Sequence, residues 1–139
     1  MSARNIYHHA VVQALIADGW TITDDPLRIA YGGRKLYVDL GAERTLIAAA
    51  KEKQQIAVEI QSFLNRSQTY DLHAAVGQFA IYRAIMRKSD PERILYLAVP
   101  EHLHDEMLAD QFGQAVIADM DLRVLVFDAK TERIVQWIN

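Results

Sequence analysis

The chain has 139 residues, enough for one domain with a full core and too few for two ordinary ones. It contains no cysteine, which removes disulfides, thiolate nucleophiles and cysteine-ligated zinc or iron–sulfur sites together. With 15 Lys plus Arg against 18 Asp plus Glu, the net charge of −3 has the wrong sign for a protein that coats nucleic acid through diffuse positive charge. An enzyme that meets DNA through a small basic rim around an acidic, metal-binding centre stays open. At 51% hydrophobic and 24% charged residues, the composition is globular rather than disordered. The longest apolar runs, near residues 45–50 and 122–127, fall far short of a membrane span, and residues 1–10 show no basic-then-apolar signal segment. A cytoplasmic protein with no membrane segment is the expectation.

Tyr7, Val11, Val12, Leu15 and Ile16 recur at helical spacing, which predicts an amphipathic helix over residues 3–18, stopped by Gly19. Residues 20–23 read as a short strand, and Asp24-Asp25-Pro26 as a turn. After the turn glycines Gly32 and Gly33, residues 35–40 alternate: Leu36 and Val38 on one face, Lys35, Tyr37 and Asp39 on the other. Residues 45–51 are apolar and fit a strand or part of a helix; residues 51–54 read as a polar turn. A second alternating strand covers residues 55–63. Leu72, Val76, Phe79 and Met86 predict a long helix over residues 69–88, ended by Ser89-Asp90-Pro91. Residues 93–99 read as a buried strand. Pro100 opens a polar helix to about residue 119, broken near Gly113, and two strands follow at residues 122–127 and 133–137. Both ends read as structured. The order predicts a single α/β domain over residues 1–139, a mixed β-sheet flanked by helices.

Two polar interruptions in otherwise apolar strands carry the chemistry. Asp39 ends Leu36-Tyr37-Val38-Asp39, and twenty positions later Glu59 and Gln61 sit within Ile56-Ala57-Val58-Glu59-Ile60-Gln61. Side chains alternate with period 2, so Glu59 and Gln61 leave their strand on one side, opposite Val58 and Ile60. If the two strands are neighbours, the Asp39 and Glu59 carboxylates converge. Two hard oxygen ligands, a strand carbonyl and waters suit Mg²⁺, which polarises a phosphoryl oxygen and acidifies an attacking water. The plainer reading of any single strand acid is a solvated edge.

Asp39…Glu59-Ile60-Gln61 resembles the D…(D/E)-x-K signature of the PD-(D/E)xK, restriction-endonuclease-like nucleases, whose core runs helix, three strands, helix, strand. Gln78-Phe79-Ala80-Ile81-Tyr82 is similar to the Q-x-x-x-Y motif of their RecB-like branch; Gln78 and Tyr82 stand at i and i+4 on one helical face. Over nearly the whole chain, residues 18–23, 36–43, 56–60, 77–79 and 134–139 resemble the XisH family of fdxN-element excision controlling factors. That resemblance implies a restriction-endonuclease-like fold and a role in excising a DNA element during cyanobacterial heterocyst differentiation. The implied partners are DNA, a recombinase and a companion factor, XisI. Where the signature has lysine this chain has Gln61, which can hydrogen-bond a water but brings no charge. Losing such a donor costs roughly 3 kcal/mol of barrier, about a hundredfold in rate.

The resemblance places Asp39 and Glu59 on a Mg²⁺ or Mn²⁺ ion, Gln61 on the water, and Gln78 and Tyr82 on the DNA backbone or bracing the site. His8 points with the apolar stripe of the first helix, which in the resembled fold often lends a polar residue to the cleft; a half-buried structural histidine is the plainer reading. Asp24 and Asp25 read first as turn residues, with Asp25 the better placed to approach a metal. His73, His102 and His104 make no cluster by spacing, and Ser62, Ser67 and Ser89 have no triad partners nearby. Gly32-Gly33-Arg34-Lys35 reads as a hairpin turn with two exposed cations rather than a phosphate loop. Arg4, Arg28, Arg34, Lys35, Arg66, Arg83, Arg87 and Lys88 are candidates for a basic rim, or simply a solvated face. Two functions remain: a DNA-acting excision factor with a metal-dependent nuclease centre weakened by Gln61, or a non-catalytic module that binds XisI or a recombinase. A homo-oligomer suits a small domain on a duplex, but no sequence feature specifies one.

Overall fold

The computed structural model describes residues 6–46, 52–63 and 67–139. Helix α1 (His8–Ala17) packs Val11 and Leu15 inward and turns Ile16 to solvent. Gly19, at φ +94°, ends it in a left-handed conformation that favours glycine. The segment then enters β1 (Thr21–Asp24). A strand the sequence pattern did not single out, β2 (Leu27–Tyr31), pairs antiparallel with β3 (Arg34–Val38) across Gly32 and Gly33. Both glycines have positive φ, as a tight two-residue hairpin turn requires.

β3 does not run on to Leu40, as unbroken alternation suggested. The chain bends at Asp39 and starts a separate strand, β4 (Leu40–Thr45), so Asp39 sits at the junction of a two-stranded ribbon and the main sheet. Strand β5 (Lys53–Ile60) already includes Lys53 and Gln54, which pair with Thr45 and Arg44 instead of forming a turn. Residues 47–51, where strand and helix were both open, lie outside the described residues, as do Arg4 and Arg66.

Helix α2 (Gln68–Ser89) starts at Ser67, whose side chain accepts the Tyr70 N–H, and buries Leu72, Phe79 and Met86. Strand β6 (Ile94–Pro100) follows. The predicted polar helix is three pieces: α3 (Glu101–Leu103), a π-helical turn over His104–Leu108, and α4 (Gln111–Asp119). The break falls at residues 109–110, not at Gly113. Asp110 caps α4 by accepting the Gly113 N–H, and Gly113 lies inside the helix because a Cβ there would come 2.3 Å from the Leu108 Cα. Strands β7 (Val124–Asp128) and β8 (Arg133–Ile138) close the described structure.

The main sheet has six strands in the order β1-β4-β5-β6-β7-β8. The β5–β6 and β6–β7 pairs are parallel and the others antiparallel. Because β5 and β6 are central and covered on both faces, they read as nearly continuous apolar runs. One face, with Leu40, Ile56, Val58 and Ile60, is covered by α1. The other, with Ala57, Leu95 and Leu97, is covered by α2 and by the β2–β3 ribbon. Among the described residues, no helix is long and apolar enough to cross a membrane.

Candidate functional site

The β4–β5 ladder pairs Leu40 with Val58, which brings Asp39 and Glu59 side by side where β4 begins. There the ladder continues through carboxylates instead of carbonyls. The Asp39 N–H donates to Glu59 Oε1 at 3.0 Å, and the Ile60 N–H donates to Asp39 Oδ2 at 2.8 Å. Each acid thus satisfies an amide of the other's strand, which fixes both carboxyl groups against the sheet. Glu59 is buried at 8% exposure, within hydrogen-bonding reach of the Asp39 carboxyl. Burial, then the Asp39 charge, push the Glu59 pKa from 4.5 up to about 8.

Gln61 lies just beyond β5, held by its own N–H to the Ala98 carbonyl at 2.9 Å. Its Nε2 donates to Gln78 Oε1 at 2.8 Å, and Gln78 Nε2 donates to the Tyr82 hydroxyl at 3.2 Å. Gln78 also hydrogen-bonds Glu59, which partly offsets the upward shift there. Tyr82, half-buried beside the same acids, has its pKa raised, first by burial. Helical i, i+4 spacing on α2 and period 2 on β5 therefore bring Asp39, Glu59, Gln61, Gln78 and Tyr82 into one connected cluster.

With Asp24 opposite Gly41 and Leu27 opposite Val38, the candidates Asp24 and Asp25 run alongside Asp39. His8 opens α1, and its Nε2 meets Asp25 Oδ1 at 2.9 Å, so each half of that pair has a structural partner. The two lysines near the site in sequence do not stand in for the missing ammonium. Lys53 pairs with Glu43 at 3.0 Å, six residues before Glu59 along β5, and Lys35 is exposed on the ribbon. Arg83 is occupied with the Asp121 and Met120 carbonyls and the Phe79 ring.

Sequence reasoning missed Arg93. Its side chain is 8% exposed, bonded to Asp90 at 2.9 Å and to the Ile56 carbonyl at 3.0 Å. A Cβ on Gly41 would lie 2.9 Å from Asp24 Oδ2 and 3.1 Å from the same guanidinium, so this glycine clears the space that Asp24 and Arg93 use two residues from Asp39. No periodicity marks such a contact; the only cue was a glycine inside an apolar strand.

Chemically, the cluster offers two hard carboxylates and a neutral amide–phenol relay. Among the described residues no group of three or more His, Asp or Glu side chains could share an ion, so a cation here would rest on Asp39, Glu59, main-chain oxygen and water. A buried acid held protonated beside a half-buried one is a donor set that a divalent cation can take over by displacing the proton.

The fold and site together define an α/β domain with two adjoining acids, buried Glu59 and half-buried Asp39, at the end of a central strand. The XisH protein family model matches residues 1–135, and the chain belongs to the XisH family. It is 41% identical to an XisH family protein from Nostoc punctiforme PCC 73102, whose crystal structure superposes with a TM-score of 0.87 over 97% of this chain and 100% of that one. It is 42% identical to a fdxN element excision controlling factor protein from Anabaena variabilis, with a TM-score of 0.87 over 98% of this chain and all of that one. No curated protein matches.

Proposed function

We propose that this chain is a DNA-acting factor in the excision of a DNA element, with a restriction-endonuclease-like, Mg²⁺- or Mn²⁺-dependent centre on Asp39 and Glu59. The observation that carries this reading is the geometry of the acid pair, in which Asp39 and Glu59 each accept an amide of the opposing segment and lie side by side with Glu59 buried and its pKa raised to about 8. The bonds to the two amides ask only for hydrogen-bond acceptors, whereas an acid that is costly to ionise is one that a divalent cation would discharge. The order α1, β1, β4, β5, α2, β6 supports the reading, as does the 42% identity to a protein named for controlling fdxN element excision.

A bound cation would supply positive charge for a phosphoryl oxygen and for a more acidic water. The chain's own residues do the rest. Gln61 spends its Nε2 on Gln78, leaving its Oε1 to orient a water; Gln78 and Tyr82 hold that amide and Glu59 in place. With no ammonium at position 61, charge on the transferring phosphate is less well offset, and the rate is set low.

Plasmid nicking in Mn²⁺ tests this. Wild type nicks slowly, Asp39→Ala abolishes nicking, and Gln61→Lys raises it by about a hundredfold. No nicking by any of the three would overturn the catalytic reading. The Gln61–Gln78 bond favours a second reading: a non-catalytic module that binds XisI or a recombinase through the same fold. In that case a stable complex with XisI forms and Glu59→Gln leaves excision unchanged.

A further inference from the structure

The segment running into Asp39 carries its own message. Strands β2 and β3 form a two-stranded ribbon separate from the main sheet. Leu27 opposite Val38 and Ile29 opposite Leu36 face the α2 side of the core, so the register leaves Arg28 opposite Tyr37 and Ala30 opposite Lys35 on the outer face. All four are exposed, and Tyr31 and Arg34 close the exposed tip. Residues 27–38 contain Arg28, Arg34 and Lys35 and no Asp or Glu, a charge of +3 in a chain of −3. Among the described residues none of the three makes an ion pair, whereas Arg44, Lys53, Arg83 and Arg93 each meet a carboxylate. Arg87, Lys88, Arg123, Lys130 and Arg133 also stand outside the ion pairs among the described residues, but the ribbon gathers its three cations over residues 28–35 with no acid among them, beside two tyrosines about half exposed.

A two-stranded ribbon fits the major groove of B-form DNA, and cations flanking it neutralise phosphates. β3 ends one residue before Asp39, so a duplex held on the ribbon has its backbone close to the acid pair. We propose that the β2–β3 ribbon is a duplex-DNA-binding arm that enters the major groove, with Arg28, Arg34 and Lys35 on phosphates and Tyr37 against the groove wall. This deepens the DNA-acting reading above, but binding through the arm needs no metal, so the two fail separately.

The test is anisotropy of a short labelled duplex with the full chain, in chelator, across a salt series. Each phosphate-neutralising cation contributes about 0.9 to the log–log slope. The three together account for about 2.7, an affinity loss of about 40-fold between about 50 and 200 mM salt. The variant Arg28→Ala/Arg34→Ala/Lys35→Ala, checked for an unchanged melting temperature, is expected to lose that part of the slope. A control with the same charge change, Arg123→Ala/Lys130→Ala/Arg133→Ala, checked in the same way, is expected to keep it. Absence of duplex binding, an unchanged slope in the arm variant, or an equal loss in the control would each overturn the proposal. So would equal affinity for double-stranded RNA, whose deep, narrow major groove does not admit a ribbon. Steep duplex binding by a protein that takes up no Mn²⁺ would uphold the arm and remove the metal centre alone.

Discussion

At the scale of single residues, the acid pair is held by what each member accepts. Asp39 takes the Ile60 N–H and Glu59 takes the Asp39 N–H, so neither side chain can swing away without orphaning a buried amide. This geometry makes the metal-free protein sensitive to pH. Glu59 ionises near 4.5 when unfolded and near 8 when folded, so between those values the native state binds the extra proton. The contribution of Glu59 to stability is complete below about pH 4.5 and is lost as pH rises through about 8. Denaturant melts in chelator from pH 5 to 9 should therefore show wild type losing on the order of a few kcal/mol, and Glu59→Gln losing markedly less. The same slope in both proteins would contradict the assignment. Gln78→Leu removes the bond that steadies ionised Glu59, so it should move the wild-type loss to higher pH. It also leaves Gln61 and Tyr82 without their shared partner, costing roughly 1–3 kcal/mol in the same melts.

At the scale of elements, strong periodicity was legible and close contact was not. The apolar spacings of α1 and α2 and the apolar runs of β6 and β7 mark elements where the structure has them. The extent of β5 was misread at its start because Lys53 and Gln54 are polar; a strand end paired on one side tolerates them. β2 was missed because its alternation spans five residues beside a glycine pair. The three-part region at residues 101–119 is the clearest failure. Gly113 reads as a helix breaker on propensity, yet its role is to let α4 approach the preceding turn. The two views give opposite signs for Gly113→Ala. Helix propensity alone predicts a gain of up to about 1 kcal/mol, whereas a Cβ set 2.3 Å from the Leu108 Cα predicts a loss of about 2 kcal/mol or more. A chemical-denaturation midpoint decides it, and the contact predicts a loss.

At the scale of the whole molecule, the sheet explains why two acids twenty residues apart meet. β4 pairs with β5 antiparallel in the one register that sets Leu40 opposite Val58, and α2 lays Gln78 and Tyr82 over the same end. Asp39, Glu59 and Gln61 were readable in advance as interruptions of apolar strands, and Gln78 and Tyr82 through the resemblance to the Q-x-x-x-Y motif. What pattern could not supply was the partner of each group: His8 with Asp25, Lys53 with Glu43, Gln61 with Gln78. Those pairings depend on which elements pack together; that of His8 ties helix α1 to the segment running beside Asp39. The central claim is that Asp39 and Glu59 bind a divalent cation in exchange for the proton they share. Calorimetry of Mn²⁺ binding at pH 7, in two buffers of different ionisation enthalpy, measures binding and proton release together. The account predicts saturable binding with close to one proton released, and loss of both in Asp39→Ala/Glu59→Ala. No saturable binding up to millimolar Mn²⁺, or binding that survives the double substitution, would contradict it.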